Sequence, residues 1–175
     1  MTRYRKQPVR FLPGSFSFTV AAFILTGLLQ TVAGAQIIGP APSAHVRHIY
    51  SETADPRADI AAALVKARHE HKRVILDFGG DWCPDCQVLD IYFHQAPNAE
   101  LLEQNFVVVH VWIGSMDKNI DLAAKYGVPI NRGVPALAVL AADGKVLYSQ
   151  ATGEFEDMRH MDSASVTEFL KKWKS

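Results

Sequence analysis

Cysteine is scarce in this chain of 175 residues, which contains only Cys83 and Cys86. A ring closed across two intervening residues constrains the unfolded chain very little, so a bond between these sulfurs would add little stability. A zinc site needs four ligands, and no second Cys-x-x-Cys pair or suitably spaced histidine pair lies nearby. The lack of other cysteines therefore excludes a disulfide framework. It leaves reversible thiol–disulfide chemistry as the predicted use of the pair.

Acidic residues are absent before Glu52, whereas the first ten residues carry four basic ones: Arg3, Arg5, Lys6 and Arg10. A mostly apolar stretch then covers residues 16–32 and ends in Ala33-Gly34-Ala35, the small-x-small pattern of a signal-peptide cleavage site. We predict that residues 1–35 are a signal peptide cleaved before Gln36.

An uncleaved membrane anchor is the alternative. The apolar stretch is short and interrupted by polar residues, whereas a membrane span needs about 20 apolar residues. The sequence therefore favours cleavage. In both cases the basic head stays inside, so we expect the folded part to be periplasmic or secreted.

An excess of basic residues is also missing from the rest of the chain. Residues 1–35 carry four of the 18 basic residues and none of the 18 acidic ones, so the remainder has a net charge near −4. Phosphate binding needs a basic patch. This charge argues against nucleic acid or anionic lipid as a partner.

Helix and strand signals divide the remaining chain into a lead-in at 36–54, which we expect to be loosely ordered, and one domain at 55–175. Asp55-Pro56 is a strong helix start. Apolar periodicity and turn residues predict the order α-β-α-β-α-β-β-α, with a hairpin at Asp143-Gly144 and a closing amphipathic helix. The predicted strand at 106–113 is apolar nearly throughout, so we expect it to be central in the sheet.

Three local motifs carry a resemblance to the thioredoxin superfamily. The first is the segment 77–86, Asp-Phe-Gly-Gly-Asp-Trp-Cys-Pro-Asp-Cys, with an acid six residues before the first cysteine. The second is Lys-Tyr-Gly-Val at 125–128 followed by Arg-Gly-Val-Pro at 132–135. The third is the hairpin, then Gly153 and the last helix. The resemblance covers residues 56–174 and implies an α/β, thioredoxin-like fold, with a central mixed β-sheet and helices on both faces.

The chain departs from the superfamily pattern in several places. Residues 129–131 are extra, residues 154–162 resemble an insertion before the last helix, and Ala136 replaces a common hydroxyl residue. The dipeptide between the cysteines is Pro-Asp, whereas typical thioredoxins have Gly-Pro. These departures concern the identity of the substrate more than the chemistry.

Cys83 is the predicted nucleophile because the start of a helix stabilises a thiolate. It would attack a substrate disulfide, and Cys86 would resolve the mixed disulfide from one helical turn away. Asp77 lies in an otherwise apolar strand, so we expect it to be buried. The resemblance implies that Asp77 serves proton transfer to Cys86.

Two further residues are predicted to tune the pKa of Cys83. Pro84 suits the first helical turn, where no N–H is needed. The carboxylate of Asp85, which we expect to be solvated, would repel the Cys83 thiolate and disfavour the reduced form. This favours the reducing direction over strong oxidation.

Three residues are predicted to contact substrate. Trp82 would offer an apolar surface at the rim of the site. The resemblance implies a cis peptide bond at Val134-Pro135, which faces the cysteines and aligns the substrate backbone.

The sequence therefore predicts an exported enzyme, a thioredoxin-like protein-disulfide reductase or oxidoreductase, which needs no cofactor and acts as a monomer. Protein thiols and disulfides would be its partners, together with a membrane-bound electron donor. One alternative is a dithiol-based binding module or copper- or haem-pathway accessory, for which His45 with His48, or His160 beside Met158 and Met161, would supply soft-metal ligands. Another is a redox-inactive folding scaffold. We interpret Met158-Arg159-His160-Met161 as a variable loop where a partner docks.

Overall fold

The computed structural model describes residues 46–175. The expected signal peptide or anchor at 1–35 and the first ten residues of the lead-in, 36–45, lie outside the described residues. Within 46–175, no helix combines the length and the hydropathy that a membrane span requires.

Five α-helices and four β-strands follow one another in the described part of the chain. The helices are α1 (Pro56–Glu70), α2 (Pro84–Phe93), α3 (Asn98–Asn105), α4 (Ile120–Lys125) and α5 (Ser163–Trp173). The strands are β1 (Arg73–Gly79), β2 (Phe106–Trp112), β3 (Ala136–Leu140) and β4 (Val146–Ser149). Single 3₁₀ turns cover Ile130–Arg132 and Met158–His160.

The strands form one mixed sheet in the order β2-β1-β3-β4. β1 runs parallel to β2 and antiparallel to β3, and β3 and β4 form the predicted antiparallel hairpin. The expectation that β2 is central is wrong, because it is the edge strand next to β1. Its apolar residues are explained by α1 and α3, which pack against it.

Alternate residues of β1 face two different cores, so helices cover both faces of the sheet. Val74, Leu76 and Phe78 pack with α1, whereas Ile75 packs with residues of α2 and α5. A strand that is buried on both sides requires an almost continuous apolar run, and β1 has one. The predicted α/β, thioredoxin-like fold class is confirmed.

The lead-in is ordered where the structure describes it, although it forms neither helix nor strand. The side chain of Gln87 binds both backbone groups of Arg47, accepting from its N–H at 2.8 Å and donating to its carbonyl at 2.9 Å. Asp81 Oδ1 accepts from the N–H groups of Ile49 and Tyr50 at 2.8 and 3.0 Å. The expectation of a loosely ordered segment is therefore wrong for residues 47–50. These contacts place the Tyr50 side chain in the core.

Candidate active site

Cys83 is the N-cap residue of α2, directly after the turn that follows β1. Its sulfur accepts a hydrogen bond from the Cys86 N–H at 3.1 Å, which satisfies one of the free donors at the start of the helix. Pro84 occupies the first helical position, as predicted. The local sequence therefore fixes the sulfur at a helix N-terminus, where a negative charge is stabilised.

The loop before β3 lies against Cys83. The Cys83 thiol donates to the Val134 carbonyl oxygen at 3.3 Å, and the Val134–Pro135 peptide bond is cis. Segments that are about 50 residues apart in sequence thus meet at the reactive sulfur. The structure brings together four of the residues singled out from the sequence: Cys83, Cys86, Val134 and Pro135.

The two cysteines are free thiols in different environments. The pKa of Cys83 is lowered, chiefly by the hydrogen bond from the Cys86 side chain, which outweighs its partial burial. The pKa of Cys86 is raised, first by burial and then by its contact with Cys83 and the charge of Asp77. One sulfur is therefore disposed to be a thiolate and the other a thiol, the division of labour that a nucleophile and a resolving cysteine need.

Asp77 is buried in the middle of β1, with 2% of its surface exposed. Its Oδ2 accepts hydrogen bonds from Tyr50 Oη at 2.8 Å and from His110 Nδ1 at 2.9 Å. Its Oδ1 is buried and has no hydrogen-bond partner among residues 46–175. The predicted burial of this acid is confirmed, and one carboxylate oxygen remains able to accept a proton.

Tyr50 lies between Asp77 and Cys86. A Cβ placed on Gly79 would lie 2.5 Å from Tyr50 Oη and 2.8 Å from Cys86 Sγ, so these two atoms flank the same glycine. Only a residue without a side chain leaves room for both. The pKa of Tyr50 is raised well above its usual range, first by burial and then by the charges of Asp77 and Cys86.

Sequence reasoning missed both Tyr50 and His110. His110 carried a signal: it is the polar residue in the apolar run of β2, and in the parallel register it stands opposite Asp77, the polar residue in the apolar run of β1. Tyr50 carried none, because it lies 27 residues before Asp77 in a segment without periodicity.

Asp85 does not have the expected environment. Its carboxylate is buried and binds Arg159, accepting from the Arg159 backbone N–H at 2.9 Å and, with both oxygens, from Nε at 3.1 Å. The expectation of a solvated carboxylate is wrong. Local sequence does not reveal the burial, because the partner, Arg159, lies 74 residues away in the insertion at 154–162. Its repulsion of the Cys83 thiolate has the predicted sign, since the charge of Asp85 acts to raise the pKa of Cys83. The guanidinium of Arg159 opposes it.

The insertion therefore packs against the start of α2. Met158 is fully buried in the core, and Arg159 binds Asp85. The interpretation of this segment as a docking loop is wrong for buried Met158, and for the rest of the segment it stays a prediction. His160 turns its side chain outward, where it bonds Asp157 at 2.5 Å, and the Arg159 side chain is also more than half exposed.

Trp82 forms the exposed rim of the site, with 52% of its surface accessible. Its Nε1 donates to the Gly114 carbonyl oxygen at 2.7 Å, which fixes the orientation of the ring. Cys83, by contrast, is only 4% exposed. A partner would therefore meet the exposed indole before it reached the buried sulfur.

Several of the residues named for soft-metal binding are engaged in other contacts or lie outside the described chain. His45 lies outside the described residues, and His48 binds Asp81 at 3.1 Å. Buried Met158 cannot act with outward-facing His160. Among residues 46–175, no group of three or more histidine, cysteine, aspartate or glutamate side chains is arranged to hold a metal ion.

Comparison with known proteins agrees with this geometry. The family described as "Thioredoxin-like" matches residues 55–142. The crystal structure of a disulphide isomerase from Xylella fastidiosa Temecula1 is 35% identical, with a TM-score of 0.69, and the match covers 73% of this chain and 98% of that one.

A curated relative is the "Thiol:disulfide interchange protein DsbD" of Pseudomonas fluorescens, which is 28% identical over 138 residues. The match covers 77% of this chain but only 21% of that protein, so the chain spans about a fifth of its relative's length. The family match and the isomerase structure bear out the resemblance carried by the cysteine and Gly-Val-Pro motifs. The chain belongs to the thioredoxin-like family.

Proposed function

We propose that this thioredoxin-like protein, a thiol–disulfide oxidoreductase, reduces protein disulfides outside the cytoplasm. The observation that carries the proposal is the position of Cys83: an N-cap sulfur with a lowered pKa, held next to the Val134 carbonyl and the cis bond to Pro135. A thiolate, and not a thiol, is the nucleophile in disulfide exchange.

In the first step, Cys83 Sγ attacks one sulfur of the client disulfide. The client S–S bond breaks, a Cys83–client disulfide forms, and the other client sulfur leaves as a thiolate that takes a proton from water. Trp82 and the Val134-Pro135 segment border the attacking sulfur, and we assign client binding to them. Extended backbone next to such a segment can pair as an added strand.

In the second step, Cys86 loses its proton and its sulfur attacks Cys83 Sγ. The Cys83–client bond breaks, the client is released fully reduced, and the site becomes a Cys83–Cys86 disulfide. Burial opposes formation of the Cys86 thiolate, because desolvation disfavours the charged form. We assign Asp77 as the proton acceptor, since its Oδ1 is buried close to the site without a partner among the described residues.

The reducing direction depends on the balance of charge at Cys83. A couple becomes more reducing when its dithiol form is less stable. The buried charge of Asp85 lowers the stability of the Cys83 thiolate, whereas the Cys86 hydrogen bond raises it. We propose that Asp85 keeps the couple reducing, to an extent that Arg159 moderates.

The biological setting follows from the same proposal. Residues 1–35 act as a cleaved signal peptide, residues 55–175 form the redox domain, and the domain works in the periplasm or as a secreted protein. A membrane-bound electron donor returns the Cys83–Cys86 disulfide to the dithiol, and protein disulfides are the clients.

Equilibration with glutathione redox buffers, read by mass shift after alkylation of free thiols, tests the direction. We expect a reduction potential close to that of thioredoxin, about −270 mV. A value close to that of the oxidant DsbA, about −120 mV, would contradict the proposed direction. Stoichiometric Cu(I) binding that Cys83→Ser abolishes, in a protein unable to reduce insulin, would favour the binding-module alternative.

A further inference from the structure

A row of polar atoms crosses the core below the active site. Cys86 Sγ and Tyr50 Oη flank Gly79, Tyr50 Oη donates to Asp77 Oδ2 at 2.8 Å, and the same oxygen is bonded to His110 Nδ1 at 2.9 Å. The His110 ring meets the Tyr50 ring edge to face, with centroids 5.4 Å apart. All four residues lie in or beside the buried core next to α1.

The far end of the row reaches the surface. The His110 side chain is 28% exposed, whereas that of Asp77 is 3% exposed. Three surface depressions between the sheet and the neighbouring helices border His110. The imidazole therefore contacts the buried carboxylate on one side and solvent on the other.

We propose that Tyr50 and His110 complete a proton path from Cys86 through Asp77 to solvent. This inference rests on the proposed function, in which Asp77 receives the proton of Cys86. Tyr50 Oη takes the proton of Cys86 Sγ while giving its own to Asp77, and His110 is a positioning residue that sets the basicity of Asp77. A buried acid without such a path would have to return its proton through an apolar core.

The proton balance closes at each stage. When Cys86 resolves the mixed disulfide, its proton is transferred to the Asp77–His110 pair. If His110 is already protonated, the pair releases one proton to water through His110. When a donor reduces the Cys83–Cys86 disulfide, the pair returns a proton to Cys86 and takes one up from water. The electrons move only between sulfur atoms.

The charges around His110 favour the protonated, positively charged form of the ring. Burial disfavours the charged imidazole, but the hydrogen bond and charge of Asp77, followed by the charges of Asp90 and Asp81, raise the pKa of His110 above its usual value. Further titratable groups line the three depressions, from α1, α2, α3 and the neighbouring loops: Asp59, Lys66, His94, Glu103, Glu52 and Lys118.

The test separates the two sulfur steps of the full-length reduced protein with dithionitrobenzoate as the probe disulfide. Attack by Cys83 releases a first thionitrobenzoate at a rate that depends on probe concentration. Resolution by Cys86 releases a second one at a rate that does not. Both phases are recorded from pH 5 to 9 for the wild type, Tyr50→Phe, His110→Asn and, as a matched control, His69→Asn on the exposed face of α1.

We expect Tyr50→Phe to slow the second phase by about tenfold or more, because a positioned proton transfer contributes about 10²–10⁴-fold. In the wild type, the second phase should accelerate as pH rises through the pKa of His110, since loss of the imidazolium charge makes Asp77 more basic. His110→Asn keeps a donor for Asp77 but cannot titrate, so this inflection should disappear. His69→Asn should match the wild type.

The inference is overturned if both variants keep the wild-type rate and pH profile of the second phase. A first phase in the wild-type range and an unchanged near-ultraviolet circular dichroism spectrum show that a variant has folded. A first phase that survives in Cys83→Ser would refute the proposed function itself, so the two failures are distinguishable.

Discussion

Asp85 illustrates how the environment of one side chain decides its chemical effect. The sequence identified it as a charge beside the nucleophile, and the structure shows that the charge is buried and bound by Arg159. The Asp85 carboxylate is buried whereas 55% of the Arg159 side chain is exposed, and removing Arg159 would leave the buried charge uncompensated. Asp85 and Arg159 must therefore be considered together when the pKa of Cys83 is explained.

Removing the negative charge of Asp85 and removing the positive charge of Arg159 should move the pKa of Cys83 in opposite directions. Asp85→Asn removes the carboxylate that acts to raise the pKa of Cys83, so the pKa should fall and alkylation at pH 7 should become a few-fold faster. Arg159→Ala leaves that carboxylate uncompensated, so the pKa should rise and alkylation should slow. The pH dependence of thiolate absorbance at 240 nm reports the pKa directly.

The control for this pair is Arg68→Ala, since Arg68 lies at the exposed end of α1 and its side chain donates to the Ala142 carbonyl. A shift of the same sign for Asp85→Asn and Arg159→Ala would contradict the assignment. A shift in Arg68→Ala as large as that in Arg159→Ala would point instead to a general effect of net charge.

At the scale of elements, the lead-in segment functions as part of the domain. Residues 46–54 form neither helix nor strand, yet Asp81 and Gln87 hold their backbone against the start of α2. The partly buried N–H groups of Ile49 and Tyr50 both donate to one carboxylate oxygen of Asp81. Hydrogen bonds to a charged acceptor are stronger than those between neutral groups. The segment thereby delivers Tyr50 to the core beside Cys86.

Asp81→Ala should release this segment from the domain. Loss of an acceptor for partly buried N–H groups costs about 1–3 kcal/mol. We expect denaturant unfolding of the full-length protein to show a loss of that size, and limited proteolysis to cut near residues 47–51. Asp59→Ala, which removes an exposed acid of α1, is the control. Unchanged stability and protease resistance in Asp81→Ala would contradict this role of Asp81.

The elements themselves were largely predictable. Asp55-Pro56 marked the start of α1, Asp143-Gly144 marked the hairpin, and the period of the last helix gave Ser163–Trp173. The position of β2 was not predictable from its composition. An edge strand covered by α1 and α3 is as apolar as a central one, and sequence shows hydrophobicity but not which strands are neighbours.

The residues of the candidate site that could be predicted from the sequence are those in local motifs. Cys83, Cys86, Asp77 and Pro135 belong to local motifs whose spacing is visible in the sequence. Tyr50 and Arg159 act through contacts that span 27 and 74 residues, in segments without helix or strand periodicity. Only the folded chain shows which distant polar groups meet.

At the scale of the whole molecule, β1 connects the chemistry to the surface at two places. The strand ends at Gly79, after which the turn presents Cys83 and Trp82 at the rim, while its middle holds Asp77 against His110 on the neighbouring strand. In the proposed mechanism, electrons pass through Cys83 beside the exposed Trp82, whereas protons leave through the face that carries His110.

The central claim is that Cys83 attacks and Cys86 resolves, and trapping the mixed disulfide tests it most directly. Full-length Cys86→Ser, reduced and then mixed with glutathione disulfide or insulin, should accumulate a disulfide that peptide mass spectrometry locates on Cys83. Cys83→Ser under the same conditions should accumulate almost none, because the remaining Cys86 is buried and has a raised pKa. A stable adduct on Cys86 in Cys83→Ser, with none on Cys83 in Cys86→Ser, would contradict the account.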